Sequence, residues 1–194
     1  KAYHESITGY YNWAWMWDRL STYYYQGIKD YGFVHFDIKD FNMINELYNH
    51  QIANEVLIRV TQNIEAHKDW IYFGARCDND NFAMMIKDMP ESEVKEKLTE
   101  FFEEISRLEY DPSYRIYYRC GVVNMQTAMN TGGIVADCAK IAKSMGTGIN
   151  NTEINLAFPG VLPVVNYKKK KKSVKMALAL NCQVPSKMYF DRKN

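Results

Sequence analysis

Ala75-Arg76-Cys77-Asp78-Asn79-Asp80-Asn81-Phe82-Ala83-Met84-Met85-Ile86 reads as a strand, a tight polar turn and a second strand, with carboxylates crowded into the turn. Asn and Asp tolerate left-handed backbone and close hairpins well, so the plain reading is a good turn between two apolar strands. A second acidic stretch gives the turn further meaning. Phe36-Asp37-Ile38-Lys39-Asp40-Phe41-Asn42-Met43-Ile44-Asn45-Glu46 stands where an apolar strand gives way to a helix. Asp37 at a strand end and Asp80 in a neighbouring hairpin would converge at one edge of a sheet. Two carboxylates there can hold magnesium against phosphate oxygens. A helix opening near Asp40 would add backbone N–H groups for an anion. The competing reading of such carboxylates is that they are solvated turn residues.

Working outward, Gly32–Asp37 is a short apolar run expected at the centre of a sheet. Before it, Trp13–Tyr25 lacks Pro and Gly and predicts a helix with Trp13, Met16, Trp17 and Leu20 on one face. After it come two helical patterns, one carrying Phe41, Ile44, Leu47 and Tyr48, the other Ile52, Val56, Leu57, Val60 and Ile64. Trp70–Cys77 and Phe82–Ile86 form the hairpin. Pro90-Glu91-Ser92-Glu93 opens a charged helix with Val94, Leu98, Phe101, Phe102 and Ile105 turned inward. Tyr114–Val123 alternates, with Tyr114, Ile116, Tyr118, Cys120 and Val122 on one face and Arg115, Tyr117 and Arg119 on the other. Gly133–Met145 predicts a helix stopped by Gly146 and Gly148, and Ile154–Phe158 a last strand. The order β-α-α-β-β-α-β-α-β, behind the first helix, gives an α+β fold with a mixed sheet and flanking helices.

Twenty-four basic side chains against 23 acidic ones leave a formal charge of +1 in 194 residues, so no global field points to nucleic acid or an anionic membrane. Cys77, Cys120, Cys138 and Cys182 are far apart with no C-x-x-C pair, which speaks against a zinc site or a disulfide framework and fits a reduced, cytoplasmic compartment. No stretch approaches the roughly 18 apolar residues of a membrane span. The chain starts at Lys1 without Met and reads as a piece of a longer protein, which leaves room for membrane attachment upstream. Beyond Pro159 the character changes to a lysine run, Lys168–Lys172, and an apolar continuation, Val174–Leu180. These predict a core domain over residues 1–160 and a linker or tail over 161–194.

Residues 1–160 resemble a GGDEF domain, the diguanylate cyclase family. The likeness rests on Ile7-Thr8-Gly9-Tyr10-Tyr11-Asn12, on Phe36-Asp37-Ile38 through Phe41, Ile44-Asn45-Glu46, Tyr48-Asn49-His50 and Val56-Leu57, on Arg76 with Asp78–Phe82, and on Ala136-Asp137-Cys138-Ala139, Ala142-Lys143 and Gly146. The resemblance implies a palm-like, nucleotidyl cyclase fold in which two GTP-loaded domains face each other as a homodimer and form cyclic di-GMP. It implies Asp37, the Ile38 carbonyl and Asp80 as ligands of Mg2+. It implies Asn45 and Asn54 at guanine, and Asp40, Phe41 and Lys143 in the nucleotide site. A weak likeness of Met176–Asp191 to the opening of an EAL phosphodiesterase implies a neighbouring EAL-like domain.

The departures from that pattern lie where the chemistry would be. Asp78-Asn79 replace two glycines that let the backbone approach the nucleotide, Asn81 replaces a glutamate, Asn54 an aspartate and Thr147 an arginine. A carboxylate at about 4 Å from a phosphate, at an effective dielectric near 20, costs about 4 kcal/mol, or roughly three decades of affinity. Asp69 and Tyr72 stand where the family has its arginine–aspartate feedback pair. The expectation is a degenerate, non-catalytic domain with a regulatory, nucleotide-sensing or dimerising role. The alternatives are a weakly active diguanylate cyclase and a GTP-binding activator of an adjacent phosphodiesterase.

Overall fold

The computed structural model of the chain describes residues 3–130, 135–148 and 150–157. Its elements run α1 (Trp13–Tyr25), β1 (Tyr31–Ile38), α2 (Phe41–Leu47), α3 (His50–Ala66), β2 (Ile71–Asp78), β3 (Asn81–Lys87), α4 (Glu91–Glu104), β4 (Tyr118–Asn124), α5 (Met125–Asn130), α6 (Val135–Ser144) and β5 (Glu153–Leu156). The five strands make one sheet in the order β2-β3-β1-β4-β5. β1 is antiparallel to both β3 and β4, β2 is antiparallel to β3, and β5 runs parallel to β4. The fold is α+β, as expected, and every residue of β1 is buried, which is why it is apolar apart from His35 and Asp37.

Alternation along the strands divides the core in two. Val34, Phe36 and Ile38 face α3 and α4, where Val60, Ile64, Leu98, Phe101 and Phe102 close over them. Phe36 stacks on Phe82 with ring centroids 5.3 Å apart, and Phe102 on Tyr118 at 4.9 Å. On the other face Phe33 meets Met16 and Leu20 of α1 and Val135, Ala136 and Ala139 of α6. Local chemistry sets the helix ends. Asn12 caps α1 by accepting from the Trp15 N–H at 3.1 Å, and Gly27, at φ 70°, ends it. Asn49 caps α3 through the Ile52 N–H at 3.0 Å.

The structure departs from the sequence pattern at three elements. The strand expected over Tyr114–Val123 begins only at Tyr118, because its partner β1 ends at Ile38, which pairs with Tyr118. The residues before it instead form a turn, held by Asp111 accepting from the Ser113 N–H at 3.0 Å and the Tyr48 hydroxyl at 2.8 Å. The short helix α5, capped by Asn124 through the Thr127 N–H at 2.6 Å, has no counterpart in the sequence reading. Of the expected α1 face, Met16 and Leu20 are buried but Trp13 and Trp17 only half so. Gly133, Ile134, Phe158 and the whole expected tail lie outside the described residues. No helix among the described residues is long and apolar enough to cross a membrane.

Candidate functional site

The register brings three side chains into one row across the sheet. Asp37 of β1 lies between Asn81 of β3 and Arg119 of β4. All three stand on the face that α6 covers, since they are two residues from His35, Ala83 and Gly121 in their own strands. Gly121 decides how close α6 comes. A Cβ built there would lie 2.0 Å from the Ala139 carbonyl oxygen and 2.2 Å from the Lys143 nitrogen, so the helix backbone rests directly on β4. That approach carries the Lys143 side chain over the row.

The Lys143 ammonium donates to Asn81 Oδ1 at 2.7 Å and pairs with Asp37 Oδ2 at 2.9 Å. Arg119 adds a fork: its Nη2 donates to Asp37 Oδ2 at 3.1 Å and its Nε to Oδ1 at 3.3 Å. Asp37 is 5% exposed, so its charge is held by two cations in a largely dry place. His35, two residues earlier and 3% exposed, points into the same layer, and its Nδ1 has no hydrogen-bond partner among the described residues. Burial, with Lys143 and Lys140 nearby, pushes its pKa down to about 3.

The hairpin is tied from behind. Asp78 pairs with Asn81, leaving Asn79 and Asp80 as the loop, and a register shift at Cys77 bulges β2 just before the turn. Asn79 takes φ 38°, a left-handed conformation that Asn tolerates better than most side chains. Buried Arg76 donates from Nε to the Asn79 carbonyl at 2.8 Å and pairs with Glu5 at 2.6 Å. Thus the N-terminal stretch around Ile7-Thr8-Gly9 braces the turn. Glu5 also accepts from the Ile7 N–H at 3.0 Å. Asp80 gives its carbonyl to the Ile38 N–H at 3.4 Å, joining the hairpin to the end of β1.

Burial, aided by the charges of Asp37 and Asp78, raises the Asp80 carboxyl above its ordinary 3.8. A raised native pKa means stability that is fully present below the unfolded value and is lost as pH rises through the native one. Asp80→Asn is therefore expected to melt at a higher temperature than the parent near neutral pH, with the gap closing as pH falls toward the ordinary aspartate value. Thermal melts followed by circular dichroism across that range check it, and a lower melting point for the variant at neutral pH contradicts it.

Of the residues singled out in the sequence, Asp37, Asn81 and Lys143 form one bonded cluster, with the Asp80 loop beside it. The others stand apart. Asn45 meets nothing in the cluster among the described contacts; its Oδ1 lies 2.8 Å from His50 Nδ1. Asn54 is half-buried on α3, Asp40 is exposed at φ 52°, Phe41 packs on the core, and Asp78 and Thr147 are exposed. Arg119 and His35 carry no such signal in the sequence. Alternation puts Arg119 with Arg115 and Tyr117 on the face opposite Cys120, and only the β1–β4 register reveals that it faces Asp37.

A family model described as diguanylate cyclase, GGDEF domain, matches residues 2–142. The chain belongs to the GGDEF family. Among solved structures, the GGDEF domain of DgcB from Caulobacter crescentus, crystallised with c-di-GMP, superposes with a TM-score of 0.64 at 20% identity, over 81% of this chain and 94% of that one. The diguanylate cyclase SiaD from Pseudomonas aeruginosa, crystallised with its activator SiaC, gives 0.58 at 14% identity, over 78% and 61%. At those identities the likeness is one of fold. A second family model, the GatB/GatE catalytic domain, matches residues 126–194. The B-subunit of the aspartyl/glutamyl-tRNA(Asn/Gln) amidotransferase of Shouchella clausii is 49% identical over 45 residues, 23% of this chain and 10% of that protein. The chain thus spans 9–15% of the length of the curated relatives it matches. The stretch expected to open an EAL-like domain lies outside the described residues and falls within the match to this different family.

The cluster is a poor host for the Mg2+ that GGDEF cyclases use. Asp37 offers no uncommitted oxygen: one carboxylate oxygen faces Arg119 and the other faces both Arg119 and Lys143. The strand neighbour at residue 81 is an amide, and its oxygen already accepts from Lys143. Among the described residues, no group of three or more His, Cys, Asp and Glu is placed to hold a metal ion. This donor set does not fit a hard divalent cation that seeks several oxygens.

Proposed function

We propose that this GGDEF domain does not make cyclic di-GMP and serves as a regulatory or dimerising module in cyclic di-GMP signalling. The observation that carries the reading is the row Asn81-Asp37-Arg119 under Lys143. Phosphoryl transfer depends on positioned positive charge that is free to meet the phosphates. Here Lys143 is spent on Asp37 and Asn81, and Arg119 on Asp37. The hairpin supports the same reading, because Asp78 and Asp80 bring negative charge to the turn while Asn81 leaves it without the acidic partner of Asp37. What survives is the scaffold: the sheet, the braced turn and the helix that closes over it. Such a scaffold suits control through a partner, and the relative SiaD was crystallised with an activator protein.

The test is direct. Purified protein incubated with GTP and Mg2+, its nucleotides then separated, is expected to yield no cyclic di-GMP above a no-protein control. Clear product above that control overturns the reading.

A further inference from the structure

We infer that Arg119 is a resident cation that takes the place of a divalent metal on Asp37, so that this end of the sheet is closed to metal ions. The inference rests on the reading above that the domain is not a cyclase, and extends it to what the cluster does instead.

Strand register makes the pairing possible. Arg119 and Asp37 are direct cross-strand partners on one face, so the guanidinium reaches the carboxylate without leaving the sheet. Its planar fork meets both oxygens, Nε on Oδ1 and Nη2 on Oδ2, which a lysine at the same position would not reproduce. The Asp37 side chain is 7% exposed and that of Lys143 13%, so this pair is shielded from water. Arg119, at 42%, is the more exposed partner and meets the carboxylate from the solvent side. A buried carboxylate left with one cation and an open flank would attract a metal. With the flank filled by a guanidinium, an arriving dication meets two fixed positive charges and a carboxylate that already has its hydrogen bonds.

Gly121 and Asn81 support the same arrangement from either side. Gly121 seats α6 so that Lys143 reaches the carboxylate. Asn81 accepts from Lys143 as a neutral amide and brings no second negative charge to draw a metal in. The cluster therefore holds its charge without a metal, and it ties β1, β3, β4 and α6 together at one point. Its role is structural closure of a position that a catalytic relative needs open.

The experiment is Mn2+ titration of the full chain, read by loss of the free-ion electron paramagnetic resonance signal, with Mg2+ as competitor. The parent protein is expected to show no saturable site at millimolar Mn2+. Arg119→Gln is expected to gain one, with affinity raised by about tenfold to a hundredfold, and Asp37→Asn added to that variant is expected to abolish it. Arg119→Lys, which keeps a cation, should stay closed or open only slightly. Saturable Mn2+ binding by the parent that is lost in Asp37→Asn overturns the inference, and so does a folded Arg119→Gln that gains nothing. Should Arg119→Gln fail to fold by circular dichroism, the comparison of the parent with Asp37→Asn decides alone. Mn2+ binding at Asp37 by the parent without cyclic di-GMP formation would sink this inference and leave the non-cyclase reading standing. Product formation would sink that reading whatever the titration shows.

Discussion

Gly121→Ala is expected to destabilise the protein by about 3 kcal/mol, the upper end of ordinary overpacking, and to lower its melting temperature by roughly 6–12 °C for a chain of this size. The added methyl would meet backbone, not a flexible side-chain tip: the Ala139 carbonyl at 2.0 Å, the Lys143 nitrogen at 2.2 Å and the Lys143 Cα at 2.8 Å. Neither β4 nor α6 has room to yield alone. β4 is held between β1 and β5, and α6 buries Val135, Ala136, Cys138, Ala139 and Ala142. The helix must lift, and Lys143 then retreats from Asp37 and Asn81. Gly74→Ala is the comparison, because its nearest contacts, Ile64 Cγ2 at 2.8 Å and Cδ1 at 3.1 Å, are side-chain atoms and its nearest backbone atom, the Ala83 carbonyl oxygen, stands at 3.2 Å, so a smaller loss is expected there. Thermal melts of both variants separate the cases. Equal, small losses would show that α6 is not seated on β4 through Gly121.

How much of this is legible in the sequence depends on the range of the interaction involved. Trp13–Tyr25 matches its helix end for end, because Asn12 and Gly27 supply local stop signals that need no tertiary knowledge. β1 can be placed at the sheet centre because a strand buried on both faces reads as a largely apolar run. The hairpin is equally local, with two β-strands flanking turn residues. What fails is pairing. Alternation carries the strand at Tyr114–Val123 four residues too far, since nothing in those residues records that β1 stops at Ile38. The bulge at Cys77 is invisible for the same reason.

The candidate site shows the same divide. Asp37, Asn81 and Lys143 stand out by motif resemblance, and the fold brings them within bonding distance. Arg119, the side chain that most changes the meaning of the cluster, looks in sequence like an ordinary polar residue of an alternating strand. Its significance appears only when residues 82 positions apart are set side by side. The brace from Glu5 to Arg76 spans 71 positions and is likewise beyond local patterns. Long-range polar pairs of this kind carry little periodicity, so neither helical nor strand patterning announces them.

Between about pH 7.5 and pH 5 the protein is expected to lose about 2 kcal/mol of stability through His35 alone. The group's pKa is pushed down from an ordinary 6.5 to about 3, first by burial and then by Lys143 and Lys140 on α6. In that window the unfolded chain takes up a proton that the native state refuses, so stability falls as pH falls below the ordinary value and the loss stops only near the native one. At pH 5 the loss depends on the unfolded value, because the native pKa lies well below that pH. Its physical origin is the same layer that holds Asp37: an imidazole 3% exposed lies beneath a helix whose lysines face it, and among the described residues its Nδ1 has no hydrogen-bond partner to favour the charged form. The chain carries three other histidines, His4, His50 and His67, so the parent's pH profile alone does not isolate His35. The informative quantity is the difference between the parent and His35→Met, an apolar replacement of similar reach that does not titrate. Urea unfolding of both at several pH values should give stability curves whose difference changes by about 2 kcal/mol toward acid, the variant's being the flatter. Parallel curves would mean that His35 accepts its proton in the folded protein and that the layer between β1 and α6 is wetter than its packing implies.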